Sequence, residues 1–152
     1  MEDIVKIFKQ TKGTIKTKCI SITNSLNIDL VFCTKDYLIR NSRNKNNNVL
    51  ASCNGNEILL LSLKDKFDLF TFFHELAHAI HARIAGELKG AQTAEQETVA
   101  EFTAAVLMDL YGYSDHTGNA WQYISHNAKD PLIAISKAMG TTEKVLKVLL
   151  ES

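Results

Sequence analysis

The chain has 152 residues and a mass of 17.0 kDa, the size of one domain and too short for two ordinary ones. Apolar residues make up 45% and charged residues 22%, which excludes a disordered chain, a collagen-like repeat and a mucin-like stalk. Lysine plus arginine equals aspartate plus glutamate at 17 each, so the net charge of zero gives no whole-chain attraction to nucleic acid or to an anionic membrane.

The lack of a recognisable targeting segment and the cysteine usage predict a cytoplasmic protein. No apolar run approaches the length of a membrane-spanning helix, and the N-terminus lacks the apolar core of a signal peptide. Cys19, Cys33 and Cys53 are widely spaced and include no CxxC pair, which argues against a disulfide framework and a thiolate zinc site. We therefore expect three reduced thiols, a cytoplasmic location and no membrane partner.

The first half of the chain is predicted to be rich in strands, after a short amphipathic helix over residues 2–10. Runs of β-branched and aromatic residues predict the strands, and the turn Asn54-Gly55-Asn56 between two apolar runs is typical of a hairpin. The predicted strands are residues 18–22 (KCISI), 28–33 (IDLVFC), 49–53 (VLASC) and 57–62 (EILLLS).

The second half is predicted to be helical. Capping-box patterns at Ser62 with Asp65 and at Thr93 with Gln96 mark the starts of two long helices. Asp130 followed by Pro131 predicts a cap and the first residue of a later helix. The predicted helices are residues 65–84, 93–111 and 120–127, one from residue 131, and a last amphipathic one that a break at Gly140 and Thr141 sets apart.

Strands that precede helices within one small unit indicate the α+β class. We predict a single domain over residues 1–152, β-rich over residues 15–62 and helical over residues 63–152. In this arrangement a small antiparallel or mixed sheet comes before a helical half that carries the chemistry.

Residues 74–78 read HELAH, an HExxH motif inside the first long predicted helix. Residues i and i+4 project from one face of a helix, so His74 and His78 can both reach one metal ion. Glu75 lies beside them without being a ligand, where it can take a proton from water and pass it to a leaving amine. We therefore predict a zinc (Zn2+) site with Glu75 as general base.

A catalytic zinc site needs a third protein ligand and an open fourth position. Glu97 follows His78 after 18 intervening residues, and HExxH-x18-E is the spacing of the gluzincin metallopeptidases. Glu101 lies four residues later on the same helical face, which suits a carboxylate that accepts the N–H of a ligand histidine. We assign Glu97 as the ligand and keep Glu101 as the alternative.

Other histidines and aromatic residues have weaker cases. His81 is predicted to lie at the rim or surface, because the longer HExxHxxGxxH pattern that recruits a third histidine is absent. Trp121 is predicted to be a core or helix-packing residue. A donor that could hydrogen-bond an oxyanion is sought among Tyr111, Tyr113, His116, Tyr123 and His126.

Residues 50–150 resemble the zincin-type metallopeptidase domain of ArdC-like antirestriction proteins of phages and plasmids. The resemblance rests on the strand EILLL, the segment KFDLFTFF before HELAH, ETVAE at residues 97–101 and the helix FTAAVL. It implies a zincin-like fold with a zinc ion held by His74, His78 and Glu97. Members of that family carry an N-terminal single-stranded-DNA-binding domain that residues 1–45 match poorly, so there is no direct evidence for a nucleic-acid partner. The ImmA/IrrE-type regulatory peptidases are similar more distantly.

These features predict a zinc-dependent metallopeptidase that hydrolyses a peptide bond in a peptide or protein substrate. An edge strand near residues 49–53 would align an extended substrate by strand addition. Two alternatives stay open: a catalytically silent metal-binding interaction module, and a latent ImmA-like regulatory protease that is active only with a partner. A set of two histidines and one carboxylate also suits several divalent metals besides zinc.

Overall fold

A computed structural model describes residues 3–41, 50–85, 94–113, 125 and 129–150. Within these residues the chain forms six helices and three strands, so the α+β class is confirmed with helix predominating. Their order is α1 (Ile4–Gln10), α2 (Ile15–Ser25), β1 (Asp29–Phe32), α3 (Lys35–Asn41), β2 (Ala51–Asn54), β3 (Glu57–Leu60), α4 (Lys66–Ala85), α5 (Ala94–Leu110) and α6 (Pro131–Leu150).

The three strands form a mixed sheet in the order β1-β3-β2. β1 pairs with β3 in parallel, and β2 pairs with β3 antiparallel with Asn54 opposite Glu57. Gly55 and Asn56 therefore make a two-residue turn, and Gly55 has a φ of 63° that glycine adopts without strain. The predicted hairpin and the predicted mixed sheet are confirmed.

The strand predicted over residues 18–22 is wrong, because this segment lies in α2. The buried side chains at Cys19, Ile22 and Leu26 recur every three to four residues, which is the period of a helix packed against the core. Burial of this face outweighs the β propensity of the isoleucines and threonines around it. With α3 also helical, residues 15–62 form a mixed region and not a β-rich one.

The helix that carries HELAH is held at both ends. Asp65 accepts hydrogen bonds from the backbone N–H groups of Phe67 and Asp68, each at 3.0 Å, so Asp65 caps α4 and the predicted cap at Ser62 is wrong. Near the other end the Arg83 guanidinium donates to the Asn56 side-chain oxygen and to the Asn27 carbonyl at 3.1 Å. Between these ends α4 packs against β2, β3, α5 and α6.

The last helix differs from its prediction. Asp130 caps α6 by accepting a hydrogen bond from the Ile133 N–H at 3.3 Å, as predicted, but the helix then runs unbroken through Gly140 and Thr141. Burial of one continuous face outweighs the cost of about 1 kcal/mol for glycine inside a helix. The buried residues of that face are Ala138, Thr142, Val145 and Leu149.

α5 ends before Gly112, whose φ of 84° stops the helix as predicted. Its predicted capping residue, Thr93, lies outside the described residues, as does the helix predicted over residues 120–127 apart from residue 125. The helix predicted near the N-terminus is confirmed as α1. Its buried side chains join a hydrophobic core that also includes residues of α2, the sheet, α4, α5 and α6.

The cysteines and the helix lengths can be compared with the expectations from the sequence. Cys19 and Cys33 are free thiols, as expected for a chain without a disulfide framework. Burial raises the pKa of Cys19 above its usual range, which keeps this thiol protonated and unreactive. In the described part of the chain, no helix combines the length and the apolar character needed to cross a membrane.

We expect Gly140→Ala to raise the free energy of unfolding by about 0.5–1 kcal/mol, because alanine has the higher helix propensity and its Cβ would meet open space. Gly55→Ala is the matched control: its Cβ also meets open space, but the positive φ makes it destabilising by about 1 kcal/mol. Urea unfolding followed by circular dichroism measures both changes. A stability reduced by Gly140→Ala would contradict the continuous helix.

Candidate metal centre

The two histidines of HELAH lie one turn apart on α4 and point into the same space. Their Nε2 atoms are 3.2 Å apart, and their rings meet edge to face with centroids separated by 4.9 Å. The helical spacing of four residues produces this convergence directly. His74 is 15% exposed and His78 is 2% exposed, so the space between them opens toward solvent on the His74 side.

α5 brings the carboxylate of Glu97 to this pair. Its Oε2 lies 3.0 Å from His74 Nε2, and its Oε1 lies 3.1 Å from His78 Nε2. His74, His78 and Glu97 form a group that could hold a metal ion. In a tetrahedral site with bonds of 2.0–2.1 Å, neighbouring ligand atoms are about 3.3 Å apart, close to the separations found here. The donor set therefore fits a divalent metal in both chemistry and spacing.

Glu101 contacts the other side of the His74 ring. Its Oε1 lies 3.0 Å from His74 Nδ1, so the Nδ1–H can donate to Glu101 and leave the Nε2 lone pair for a metal ion. This is the contact predicted for a carboxylate that fixes the tautomer of a ligand histidine. Glu97 faces both Nε2 atoms and is the better placed of the two glutamates for the ligand role, although that role stays a prediction.

The charges of the cluster hold a proton on an imidazole in the metal-free protein. Burial is the largest single influence and lowers the pKa of His74, but hydrogen bonds to Glu101 and Glu97 together outweigh it and raise the pKa to about 10. Burial raises the pKa of Glu97, but hydrogen bonds from His74 and His78 prevail and lower it to about 2. A bound cation would replace the proton as the partner of the carboxylates.

Glu75 lies beside the cluster, next to His74 in the chain. Its side chain is 7% exposed, and its Oε2 atom is buried with no hydrogen-bond partner in the part of the chain that the structure describes. Burial raises the pKa of Glu75, Glu97 raises it further, and His74 and His78 act in the opposite direction. A buried carboxylate with an unused acceptor atom and a raised pKa is typical of a proton-transfer group.

The prediction that His81 lies at the rim or surface is wrong. His81 is 9% exposed, and its Nδ1 atom is buried without a hydrogen-bond partner among the described residues. It follows His74 by two helical turns and therefore shares its face of α4, which turns inward at this point. Burial lowers the pKa of His81 and nearby His78 lowers it further, against the opposing charge of Glu95.

Tyr111 is turned away from the cluster. Its ring packs between Phe8 and Phe73, with centroid distances of 4.2 and 5.1 Å. Burial raises the pKa of its hydroxyl, and its neighbours Cys19, when ionised, and Asp3 act in the same direction. These neighbours belong to the N-terminal part of the chain, so the hydroxyl faces α1 and α2 and is not an oxyanion donor.

Tyr113 is half-buried against the hydrophobic core. The other residues considered for the oxyanion or for packing lie outside the described residues: His116, Trp121, Tyr123 and His126.

Comparisons with models of known protein families, with curated protein sequences and with solved structures find no match to this chain. The likeness to ArdC-like proteins consequently stays a prediction from the motifs. What the structure adds is independent of any relative: four side chains from two helices converge at hydrogen-bonding distance.

We expect the protein to bind about one divalent metal ion per chain, and His78→Ala and Glu97→Ala to abolish binding. Glu101→Gln should keep the ion but weaken its affinity about 10–100-fold, because His74 loses a charged acceptor. Glu95→Ala removes an exposed glutamate of the same helix and should change nothing. Elemental analysis and metal titration give both quantities. Metal retained in Glu97→Ala but lost in Glu101→Ala would exchange the two roles.

The raised pKa of His74 predicts that metal binding releases protons. This imidazole stays protonated up to about pH 10 in the metal-free protein, so an ion that binds Nε2 at about pH 7 displaces about one proton. Apparent affinity should therefore rise about tenfold per pH unit between about pH 6 and pH 9. Titration calorimetry in buffers of different ionisation enthalpy counts the protons, and Glu101→Gln should release fewer. A binding enthalpy independent of the buffer would contradict this.

Proposed function

We propose that the chain is a zinc-dependent metallopeptidase with a zincin-like site. The proposal is carried by the convergence of His74 Nε2, His78 Nε2 and the Glu97 carboxylate within 3.2 Å of one another, beside the buried carboxylate of Glu75. Two histidines at helical spacing, a third carboxylate ligand and an adjacent glutamate are the parts of a hydrolytic zinc site. Zinc bound there supplies a Lewis acid that polarises a peptide carbonyl and makes a neighbouring water more acidic.

The side chains divide the work. His74, His78 and Glu97 hold the ion, and Glu101 orients the His74 ring by accepting its Nδ1–H. Glu75 takes a proton from the attacking water and delivers it to the leaving nitrogen, so it acts first as a base and then as an acid. Burial raises the pKa of Glu75, so this carboxylate holds a proton more readily once it has taken one from water.

A peptide is the substrate favoured by the neighbouring sheet. β2 lies at one edge of the described sheet, runs antiparallel to β3 and packs against α4, which carries HELAH. Ala51, Ser52 and Cys53 of β2 are 4–8% exposed, so it is at the start of this edge that an extended peptide can join as a further strand. Leu50, just before β2, is 60% exposed, so the chain reaches the surface at the start of this strand.

We expect Glu75→Gln to keep the metal but to lower the rate of peptide hydrolysis about 100- to 10,000-fold, because an amide of the same shape cannot accept the proton. The measurement is mass-spectrometric detection of new termini in a mixture of proteome-derived peptides incubated with the zinc-loaded protein. Glu95→Gln is the matched control and should cleave like the wild type. Metal lost together with activity in Glu75→Gln would contradict a role in proton transfer.

The same experiment separates the two alternatives. A wild type that binds zinc but yields no new termini would favour a silent metal-binding module. Cleavage that begins only when a partner protein is added would favour a latent regulatory protease. Among the described residues the buried Oε2 of Glu75 has no hydrogen-bond partner, which supports turnover over a silent site because an unpaired buried carboxylate destabilises the fold.

A further inference from the structure

One face of α4 changes from exposed to buried along its length. Spacings of three, four and seven residues place Phe67, Phe70 and Thr71 on the same face as His74 and His78. Phe67 is 66% exposed, Phe70 and Thr71 are half-buried, His74 is 15% exposed and His78 is 2% exposed. This face is therefore open at the N-terminal end of α4 and closed at the second ligand histidine.

The opposite face of α4 beside this stretch is packed into the protein, while Lys66 is exposed and Asp68 is half-buried. The fully buried side chains of that face are Leu69, Phe72, Phe73 and Leu76. Among the described residues of α4, the exposed route to the ligand atoms thus passes over its first two turns. A substrate that approaches along this route meets the ring of Phe67 first and the ring of Phe70 next.

Both rings lie within the reach of a bound peptide. The helical rise puts Phe70 about 6 Å and Phe67 about 10 Å before His74 along the helix axis. One extended peptide residue spans about 3.3 Å, so these distances correspond to side chains within about three residues of the cleaved bond.

The two phenylalanines differ in what holds them. Phe70 packs against the hydrophobic core and so has a fixed position, whereas Phe67 leaves two-thirds of its side chain in water. The Lys66 ammonium lies 5.4 Å from the centre of the Phe67 ring, a weak contact at an exposed site. A single exposed phenylalanine is ordinary on a protein surface. One that shares a helix face with the ligand histidines offers an apolar binding surface close to the bond that is cleaved.

We infer that Phe67 and Phe70 form an apolar recognition surface for a large hydrophobic side chain of the substrate, best an aromatic one, close to the peptide bond that is cleaved. The inference rests on the proposed metallopeptidase function and adds to it the class of substrate. Aromatic rings of the substrate would pack offset or edge-on against these rings and cover surface that Phe67 now exposes to water.

The test uses two metal-binding probes and needs no catalytic activity. Acetohydroxamate engages only the metal ion, and 3-phenylpropanohydroxamate adds an aromatic ring on a short chain. In zinc-loaded wild type we expect the aromatic probe to bind about tenfold more tightly. Phe67→Ala should weaken the aromatic probe about three- to tenfold and leave acetohydroxamate unchanged, and Phe67→Leu should keep most of the preference.

Leu132→Ala is the matched control, because Leu132 is 70% exposed but lies on α6. It should alter the affinity of neither probe. Equal affinity of the two hydroxamates for the wild type, or a preference unchanged in Phe67→Ala, would overturn the inference and leave the metal site intact. Failure of the zinc-loaded protein to bind acetohydroxamate would instead overturn the proposed open metal site, and the inference with it.

Discussion

The candidate site depends on the contact between α4 and α5. His78 contacts Glu97, which lies in the first turn of α5. His74 lies one turn earlier in α4 and contacts both Glu97 and Glu101. Glu101 lies one turn later in α5 than Glu97. The two helices therefore run antiparallel where they touch. Neither helix holds the set alone, since α4 supplies the imidazoles and α5 the carboxylates. Any shift of α5 by one turn would separate the ligand atoms.

Electrostatics gives this contact its chemical character. Carboxylates and imidazoles crowd into a space with little solvent, and burying charge there costs free energy unless opposite charges compensate. Without a metal the proton on His74 compensates, which is why its pKa is raised to about 10 while that of Glu97 falls to about 2. A bound divalent cation would compensate the same carboxylates, so the proposed metal binding would be coupled to release of the His74 proton.

Helix α4 is held rigidly in the protein, yet its first two turns are accessible to solvent on one face. The cap at Asp65, the hydrogen bonds from Arg83 and the packing against both the sheet and α5 fix the helix, and with it the two histidines of the candidate site. The face that carries those histidines is nevertheless exposed over its first two turns, beginning at Phe67. Burial beyond that point raises the pKa of Glu75, and its Oε2 atom has no hydrogen-bond partner among the residues that the structure describes. Along α4 the side chains thus change from exposed, where a substrate would approach, to buried at Glu75, the group proposed to transfer the proton.

The sequence by itself determined the features that depend on local geometry. The four-residue spacing of His74 and His78 fixes their common face, and the glycine of the Asn-Gly turn fixes the hairpin. Tertiary packing decided the rest, because burial outweighs local propensity. Because of packing, residues 18–22 are helical and α6 continues through Gly140. Packing also buries His81 and places the carboxylate of Glu97, not that of Glu101, next to both Nε2 atoms. Both glutamates share one face of α5, so the packing of α5 against α4 decides which nitrogen atoms each of them contacts.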